Sequence, residues 1–270
     1  MWHRLVAGLT WRYHALVRRV RALTGASTRT RNSTPDVLDS SGYDPKKYWS
    51  ERHNRFRHSF RGVGNISRSE DANIQDYVAA VDTIGDVLRA VACDPRGKAV
   101  LDIGCGNGFW TGILQKWGVA SYTGIDITDA LFDLLRKRYP TLQFMAGKFQ
   151  QLPLRPGFQL VTMIDVTQHI TDDAELREIL KRVRSLLSED GVFVVTFWNQ
   201  ERPQEVFYET FRPFSFYTDA LAGMTHTQPA RFRDKFIAAF CQPGRRPDHD
   251  SIEPLPRRSI LEIANQILVA

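Results

Sequence analysis

Cysteine is scarce in this sequence, which contains only Cys93, Cys105 and Cys241. Three thiols so far apart along the chain fit neither a disulfide framework nor a cysteine-rich metal cluster, so we predict no disulfide and no metal site. Buried thiols in a reducing compartment are the simpler interpretation, and we therefore expect a cytoplasmic protein.

Acidic residues are missing from residues 1–35, which contain seven arginines. The rest of the chain has 29 of the 36 basic residues against 30 acidic residues, so the net charge of +6 belongs to this tail. Within residues 1–23 apolar side chains recur every three or four positions, opposite the arginines, and this pattern predicts a basic amphipathic helix. It lacks the apolar run of roughly 18 residues that a membrane-spanning helix needs.

Three roles fit such a helix, and the sequence leaves them open. The helix could lie on an anionic membrane surface, dock on its own protein or a partner, or serve as a targeting segment. A stretch rich in Ser, Thr, Asn and Asp follows it and indicates a linker. We therefore expect residues 1–42 to form an extension made of a basic helix and a linker.

Short apolar runs alternate with helical patterns between residues 98 and 198. The clearest helical pattern covers residues 172–187, where leucine, isoleucine and valine share one face. Strands that alternate with helices predict an α/β fold with a doubly wound, mostly parallel sheet. Residues 230–241 fit one or two closing strands, and we expect the last strand to be antiparallel.

The same patterns suggest where the folded domain begins and ends. We expect residues 43–241 to form the main domain, with a lid at its N-terminal end. Ser67 and Glu70 are spaced as a capping box, which predicts the start of a long helix ahead of Ile74. Residues 242–270 would then form a proline-rich linker and a C-terminal helix.

Glycines are concentrated behind the first apolar run, in the stretch KAVLDIGCGNGFW. Gly104, Gly106 and Gly108 follow Asp102, and glycine lets a ligand pass very close to the main chain. A nicotinamide or flavin site would need another glycine where Phe109 stands. The acid at the end of the strand suits a cationic group better than a pyrophosphate.

A second acid, Asp126, ends the next apolar run, where a carboxylate can accept both hydroxyls of a ribose. The D-x-G-x-G-x-G turn and this second acid resemble the class I S-adenosylmethionine-dependent methyltransferases. Residues 144–154 and 163–170 are similar to later motifs of that family. The resemblance covers about residues 43–241 and implies a Rossmann-like fold and S-adenosyl-L-methionine as cofactor.

The resemblance also implies a set of cofactor residues. Asp102 would attract the ammonium group, directly or through water, and Asp165 would lie beside the methionine part. Lys148 stands where the family commonly has an aspartate for the adenine amino group, so we expect main-chain groups and packing to hold adenine. The implied set is Asp102, Gly104, Cys105, Gly106, Gly108, Asp126, Ile127, Lys148, Phe149 and Asp165.

His169 follows the fourth predicted strand and is the candidate general base if the acceptor is an alcohol, although it could instead cap or support the next helix. Aromatic and arginine side chains before the first strand suit a lid that binds the acceptor. Further candidates follow the fifth strand. The predicted acceptor residues are Tyr48, Trp49, Arg52, Trp198 and Tyr208.

The lid is similar to that of bacterial methyltransferases associated with glycans and other metabolites, which favours O-methylation of a sugar, glycan or other small hydroxyl compound. An RNA methyltransferase is an alternative, but the near-neutral body lacks the basic groove that nucleic acid requires. A catalytically silent, cofactor-binding regulatory subunit is another, because Lys148 departs from the family pattern. The oligomeric state stays open.

Overall fold

The computed structural model describes residues 42–199, 208–245 and 253–269. The predicted basic helix in residues 1–23 and the linker up to residue 41 lie outside these described residues. So do residues 200–207 of the loop after the fifth strand and residues 246–252 of the proline-rich linker.

The helices in the described ranges are mostly amphipathic. They are α1 Pro45–Arg55, α2 Glu70–Ala90, α3 Phe109–Lys116, α4 Phe132–Arg138, α5 Asp173–Leu186, α6 Phe214–Ala220 and α7 Arg257–Val269. No helix in the described part of the chain is long and apolar enough to cross a bilayer.

A single sheet forms the centre of the fold. Its strands are β1 Ala99–Ile103, β2 Ser121–Asp126, β3 Gln143–Ala146, β4 Phe158–Met163, β5 Leu187–Phe197, β6 Thr225–His226, β7 Ala230–Phe232 and β8 Lys235–Cys241. The strand order is β3-β2-β1-β4-β5-β8-β6, and β7 also pairs with β8. The first five strands are parallel, and β6, β7 and β8 pair in antiparallel fashion. This confirms the predicted α/β sheet with an antiparallel end and adds the short strand β6.

Helices cover the sheet on both faces. Buried side chains of α2, α3, α4 and α7 form one apolar cluster with β-strand residues, and those of α5 and α6 form a second cluster on the other face. The last helix, α7, buries Ile260, Ile263 and Ile267 in the first cluster. The C-terminal segment is therefore part of the hydrophobic core.

The start of α2 differs from the capping box that the sequence suggests. Ser69, not Ser67, is the N-cap, and its side chain accepts a hydrogen bond from the backbone N–H of Ala72 at 3.2 Å. Glu70 instead reaches back to the preceding turn, where it accepts from the backbone N–H of Phe60 at 2.5 Å and from the hydroxyl of Ser59. The Glu70 carboxylate, which a capping box would use at the start of α2, is therefore engaged in a tertiary contact with this turn.

The order of the strands indicates where a ligand can bind at the edge of the sheet. The strand order reverses at β1, whose neighbours are β2 and β4. In open parallel sheets the loops at the carboxyl ends of the strands separate at such a point and leave a crevice. The glycine turn after β1 and the loop after β4 therefore border the same space.

Candidate active site

A cavity of about 760 Å³ lies at the carboxyl ends of β1, β2 and β4 and is bordered by α1. Its size falls within the roughly 300–1,000 Å³ typical of small-molecule sites. Of the residues predicted from the sequence, it brings together Trp49, Gly104, Cys105, Gly106, Asp126, Ile127, Lys148, Phe149, Asp165 and His169.

The glycine turn forms one wall with its main chain. Gly104 and Gly106 have φ angles of 82° and 51°, which is the left-handed region that favours glycine. A Cβ atom at position 106 would come within 2.9 Å of a methyl carbon of Val63 in the segment above it. Glycine is therefore needed at these positions, and the main chain of the turn borders the cavity directly.

Gly108 has a different position from the other two glycines. It is the N-cap of α3, with φ of 81°, and a Cβ there would overlap Leu135 of α4. It is not among the residues that line the cavity. Its place in the motif therefore reflects close packing of α3 against α4 rather than the predicted contact with cofactor.

Asp126 lies at the end of β2, in the cavity wall. One carboxylate oxygen accepts from the backbone N–H of Gly106 at 3.0 Å, and the other accepts from that of Thr128 at 3.3 Å. Burial raises the pKa of this carboxyl to about 6. Each oxygen retains a further lone pair, so the group fits a pair of ribose hydroxyls.

Asp102 does not line the cavity, so its side chain does not face the space where a direct contact with the cofactor's ammonium group is expected. It is fully buried in β1, where its two oxygens accept from the hydroxyls of Tyr122 at 2.7 Å and Thr162 at 2.8 Å. Burial raises its pKa to about 6. The neighbouring strands β2 and β4 supply both hydroxyls, so Asp102 links the three strands beneath the glycine turn.

The segment after β3 and the first turns of α5 form one end of the cavity. Ile127, Phe149 and Ile179 contribute apolar surface there, and Lys148 is exposed at the mouth. Gln150 donates a hydrogen bond from its amide to Glu175 of α5 at 2.9 Å. Gln150 and Glu175 also line the cavity, and the motif comparison did not single out either of them.

Asp165 reaches the cavity, but its carboxylate is engaged by the closing hairpin. It is ion-paired with Arg233, and Lys235 lies 3.4 Å from its other oxygen. Its backbone has a φ of 61°, a conformation that Asp tolerates better than most residues. The two cations, which come from the β7–β8 hairpin, were not predicted as site residues.

His169 lines the cavity and is held by two other parts of the chain. Its Nδ1 lies 3.1 Å from the main-chain carbonyl oxygen of Tyr208, and its ring packs edge-on against Trp49 at a centroid distance of 4.8 Å. Because a carbonyl oxygen can only accept, we assign the proton to Nδ1, which leaves the lone pair on Nε2. Burial lowers the pKa of His169 to about 3, so the ring is neutral around pH 7.

Helix α1 lies in the segment where the sequence predicts a lid, and it borders the cavity with Trp49 and His53, one turn apart. Desolvation also lowers the pKa of His53 to about 3, and its ring packs against that of Trp49 at a centroid distance of 5.5 Å. The prediction of acceptor residues omitted His53. Its spacing of four from Trp49 on a helix was the signal that could have identified it.

Four of the predicted acceptor residues do not line the cavity: Tyr48, Arg52, Trp198 and Tyr208. The guanidinium of Arg52 is occupied by the hydroxyl of Tyr48 at 3.1 Å and by carbonyl oxygens of Arg61 and Gly64. The ring of Tyr48 stacks on that of Tyr208 at 5.0 Å. These contacts fix the lid to the rest of the domain, so the side chains support the site instead of facing it.

Trp198 is similarly occupied. Lys235 lies over its ring at 5.0 Å, and the ring of Phe211 packs against it at 4.8 Å. Trp198 therefore belongs to the packing behind Asp165 and the closing hairpin.

Comparisons with known proteins agree with this geometry. Residues 100–191 match the family model described as a methyltransferase domain. A ubiquinone biosynthesis O-methyltransferase of Albidiferax ferrireducens is 26% identical over 157 residues, which cover 56% of this chain and 60% of that protein. A trans-aconitate 2-methyltransferase of Escherichia coli is 32% identical over 99 residues, or 36% of this chain and 38% of that one.

The chain therefore matches only about half the length of these curated relatives. Among solved structures, the N-methyltransferase NodS from Bradyrhizobium japonicum, in complex with S-adenosyl-L-homocysteine, superposes with a TM-score of 0.56 at 16% identity. The match covers 74% of this chain and all of that one, and it shows the shared fold. Residues 100–191 thus match a methyltransferase domain, and the sheet order and the glycine turn agree with the fold of this solved structure.

Proposed function

We propose that this protein is an S-adenosylmethionine-dependent methyltransferase that methylates a hydroxyl oxygen of a small molecule, such as a sugar, a glycan or another metabolite. One observation carries the proposal: a single cavity contains the open glycine turn, Asp126 and the neutral ring of His169. The glycine turn and Asp126 suit the binding of the cofactor, and His169 suits the removal of a proton from an acceptor.

The residues present fit the cofactor. Asp126 would accept hydrogen bonds from the ribose hydroxyls, and the main chain at Gly104, Cys105 and Gly106 would border the amino-acid part. Asp165 would lie near the same part, with its charge balanced by Arg233 and Lys235. When bound, S-adenosylmethionine supplies a methyl group that is already activated, so the protein mainly has to position the acceptor and take up its proton.

His169 is suited to take up that proton. Its Nδ1–H is anchored on Tyr208, and its Nε2 has only a weak contact, at 3.3 Å, with the side-chain amide of Gln168. An acceptor hydroxyl could replace that contact. Burial keeps the ring neutral, so Nε2 carries a lone pair throughout the physiological pH range. The same low pKa makes the ring a weak base, so this role requires that the bound acceptor raise the pKa of His169.

The walls near His169 suggest the kind of acceptor. Tyr43, Trp49 and His53 of the lid region contribute aromatic and imidazole surface, which can stack on a flat ring or a sugar face. A cavity of about 760 Å³ suits a small molecule rather than an RNA strand. The names of the matched relatives, a ubiquinone biosynthesis O-methyltransferase and a trans-aconitate 2-methyltransferase, also support small acceptors.

The first test is binding of S-adenosylhomocysteine, measured by calorimetry on the full chain. We expect wild-type protein to bind and Asp126→Ala to lose at least tenfold in affinity, with Asp129→Ala, a nearby acid outside the cavity lining, as the matched control. Failure of the wild-type protein to bind would contradict the proposal.

The second test uses cofactor with a labelled methyl group and a panel of sugars, glycans, phenols, carboxylic acids and RNA. Label in a hydroxyl compound supports the proposal, whereas label in RNA would contradict it. Binding of S-adenosylhomocysteine without transfer to any fraction of a cell extract would favour a silent regulatory subunit.

We also propose that residues 1–23 bring the protein to an anionic membrane surface, because their arginines oppose an apolar face that contains tryptophan. The full chain should then sediment with anionic liposomes and not with neutral ones. Equal sedimentation of a chain that lacks residues 1–35 would refute this role.

A further inference from the structure

We infer that Glu175 recognises the amino group of the cofactor's adenine and takes over a role that Lys148 cannot perform. The inference rests on the proposed use of S-adenosylmethionine and extends it to a specificity-determining residue on α5. It follows from the shape of the cavity, from the hydrogen-bonding capacity of its lining and from one contact between two elements.

The two ends of the cavity differ in character. Trp49, His53 and His169 form an aromatic and imidazole end. Residues 147–151 and the first turns of α5, which the Gln150–Glu175 hydrogen bond joins, line another part of the cavity, and their apolar surface includes Phe149 and Ile179. A slot with apolar walls suits a flat heteroaromatic ring better than a charged amino-acid group.

Asp126 connects the ribose position to this slot. The backbone N–H of Gly147 donates to the main-chain oxygen of Asp126 at 2.9 Å, so the segment 147–151 begins directly beside the end of β2. A ribose held by the Asp126 carboxylate would thus direct its base towards residues 147–151 and α5. The methionine part would extend the other way, along the glycine turn.

The edge of adenine carries an amino group that donates hydrogen bonds, and a donor buried without an acceptor is costly. The ammonium of Lys148 can only donate, so this side chain cannot accept a hydrogen bond from the adenine amino group. Glu175 offers a carboxylate in the lining of the same end of the cavity. Hydrogen bonds to an ionised acceptor are among the stronger ones.

Gln150 orients that carboxylate. Its amide donates to Oε1 of Glu175 at 2.9 Å, and within the described residues Oε2 has no hydrogen-bond donor. Gln150 itself is fixed from behind, because Arg182 of α5 donates to its main-chain oxygen at 2.6 Å. The pair therefore presents one positioned and unoccupied acceptor oxygen at the slot.

The test compares S-adenosylhomocysteine with S-inosylhomocysteine, whose base has a carbonyl oxygen in place of the amino group. We expect calorimetry on the wild-type protein to show a preference of about 10- to 100-fold for S-adenosylhomocysteine. In Glu175→Gln the amide can donate to the carbonyl oxygen, so the preference should shrink at least tenfold. Gln150→Leu, which removes the orienting amide, should also reduce the preference for S-adenosylhomocysteine.

Glu178→Gln is the matched control, because it makes the same change one turn further along α5. Glu178 is exposed and paired with Lys181 at 2.8 Å, so both dissociation constants should stay within about twofold of wild type. An unchanged preference in Glu175→Gln, with tight binding of S-adenosylhomocysteine, would overturn this inference and leave the proposed function intact. If the wild-type protein binds neither S-adenosylhomocysteine nor S-inosylhomocysteine, the proposed function is overturned as well.

Discussion

Replacement of Gly104 by alanine should destabilise the domain through two separable effects. The first is backbone strain, because φ at this position is 82° and a residue with a Cβ atom in the left-handed region costs about 1–2 kcal/mol. The second is crowding, because the new Cβ would overlap the side chain of Val166 in the loop after β4. Overpacking of this kind typically costs about 1–3 kcal/mol.

Gly97→Ala separates the two effects. Gly97 also has a positive φ, of 70°, but a Cβ there would meet no atom within 4 Å. We therefore expect Gly97→Ala to lower the free energy of unfolding by about 1–2 kcal/mol and Gly104→Ala by about 2–5 kcal/mol. The double variant Gly104→Ala/Val166→Ala should recover the crowding part.

Urea unfolding followed by tryptophan fluorescence measures these differences. Wild type, Gly104→Ala, Val166→Ala and the double variant form a double-mutant cycle, and Gly97→Ala is the reference for backbone strain alone. The expected coupling between positions 104 and 166 is about 1–3 kcal/mol. Two results would contradict the contact between the loops after β1 and β4. One is a free energy of unfolding that is the same for Gly104→Ala and Gly97→Ala to within about 0.5 kcal/mol, and the other is a coupling of zero.

The remaining predictions concern the carboxylate, the histidine and the last helix. Because burial raises the pKa of Asp126 to about 6, and its ionised form is the stronger acceptor for the two ribose hydroxyls, S-adenosylhomocysteine should bind more weakly as the pH falls from 7 to 5. Calorimetry across that range should show a flat profile for Asp126→Asn, and an equally steep one would contradict the assignment. His169→Gln should lower kcat by about 10²- to 10⁴-fold with little change in S-adenosylhomocysteine affinity, and unchanged turnover would exclude His169 as the base. Ile263→Ala should lower the free energy of unfolding in urea by about 2–5 kcal/mol, because Ile263 is buried in the core. Leu261→Ala, at an exposed position, should lower it by less than about 0.5 kcal/mol. Equal losses would mean that α7 does not pack on the domain.

The local pattern was enough to predict the parallel sheet, the glycine turn and the position of Asp126. Apolar runs of strand length that alternate with helical stripes leave few ways to bury their surfaces, and the carboxyl ends of parallel strands meet at one edge. The glycine turn and Asp126 therefore come together in the cavity wall through residues that are near one another in sequence. His169 was also found this way, because it follows β4 within a few residues.

The surroundings of these residues could not be predicted in the same way. Asp102 looked like a ligand-binding acid because it ends a strand, yet the register of β1 with β2 and β4 places two hydroxyls against it and keeps it from the cavity. Likewise, the partners of Asp165 come from the β7–β8 hairpin, whose position depends on how β8 joins the sheet.

The class of fold, the glycine turn and the placement of Asp126 and His169 at strand ends thus follow from the sequence alone, because each depends on short-range periodicity or on the ends of consecutive strands. Which side chains near α1 face the cavity follows only from the folded chain: Trp49 and His53 do, whereas Tyr48, Arg52 and Tyr208 contact one another or the rest of the domain. The physical reason is that a buried polar group takes whichever partner the packing of distant segments provides, and no local pattern specifies that partner.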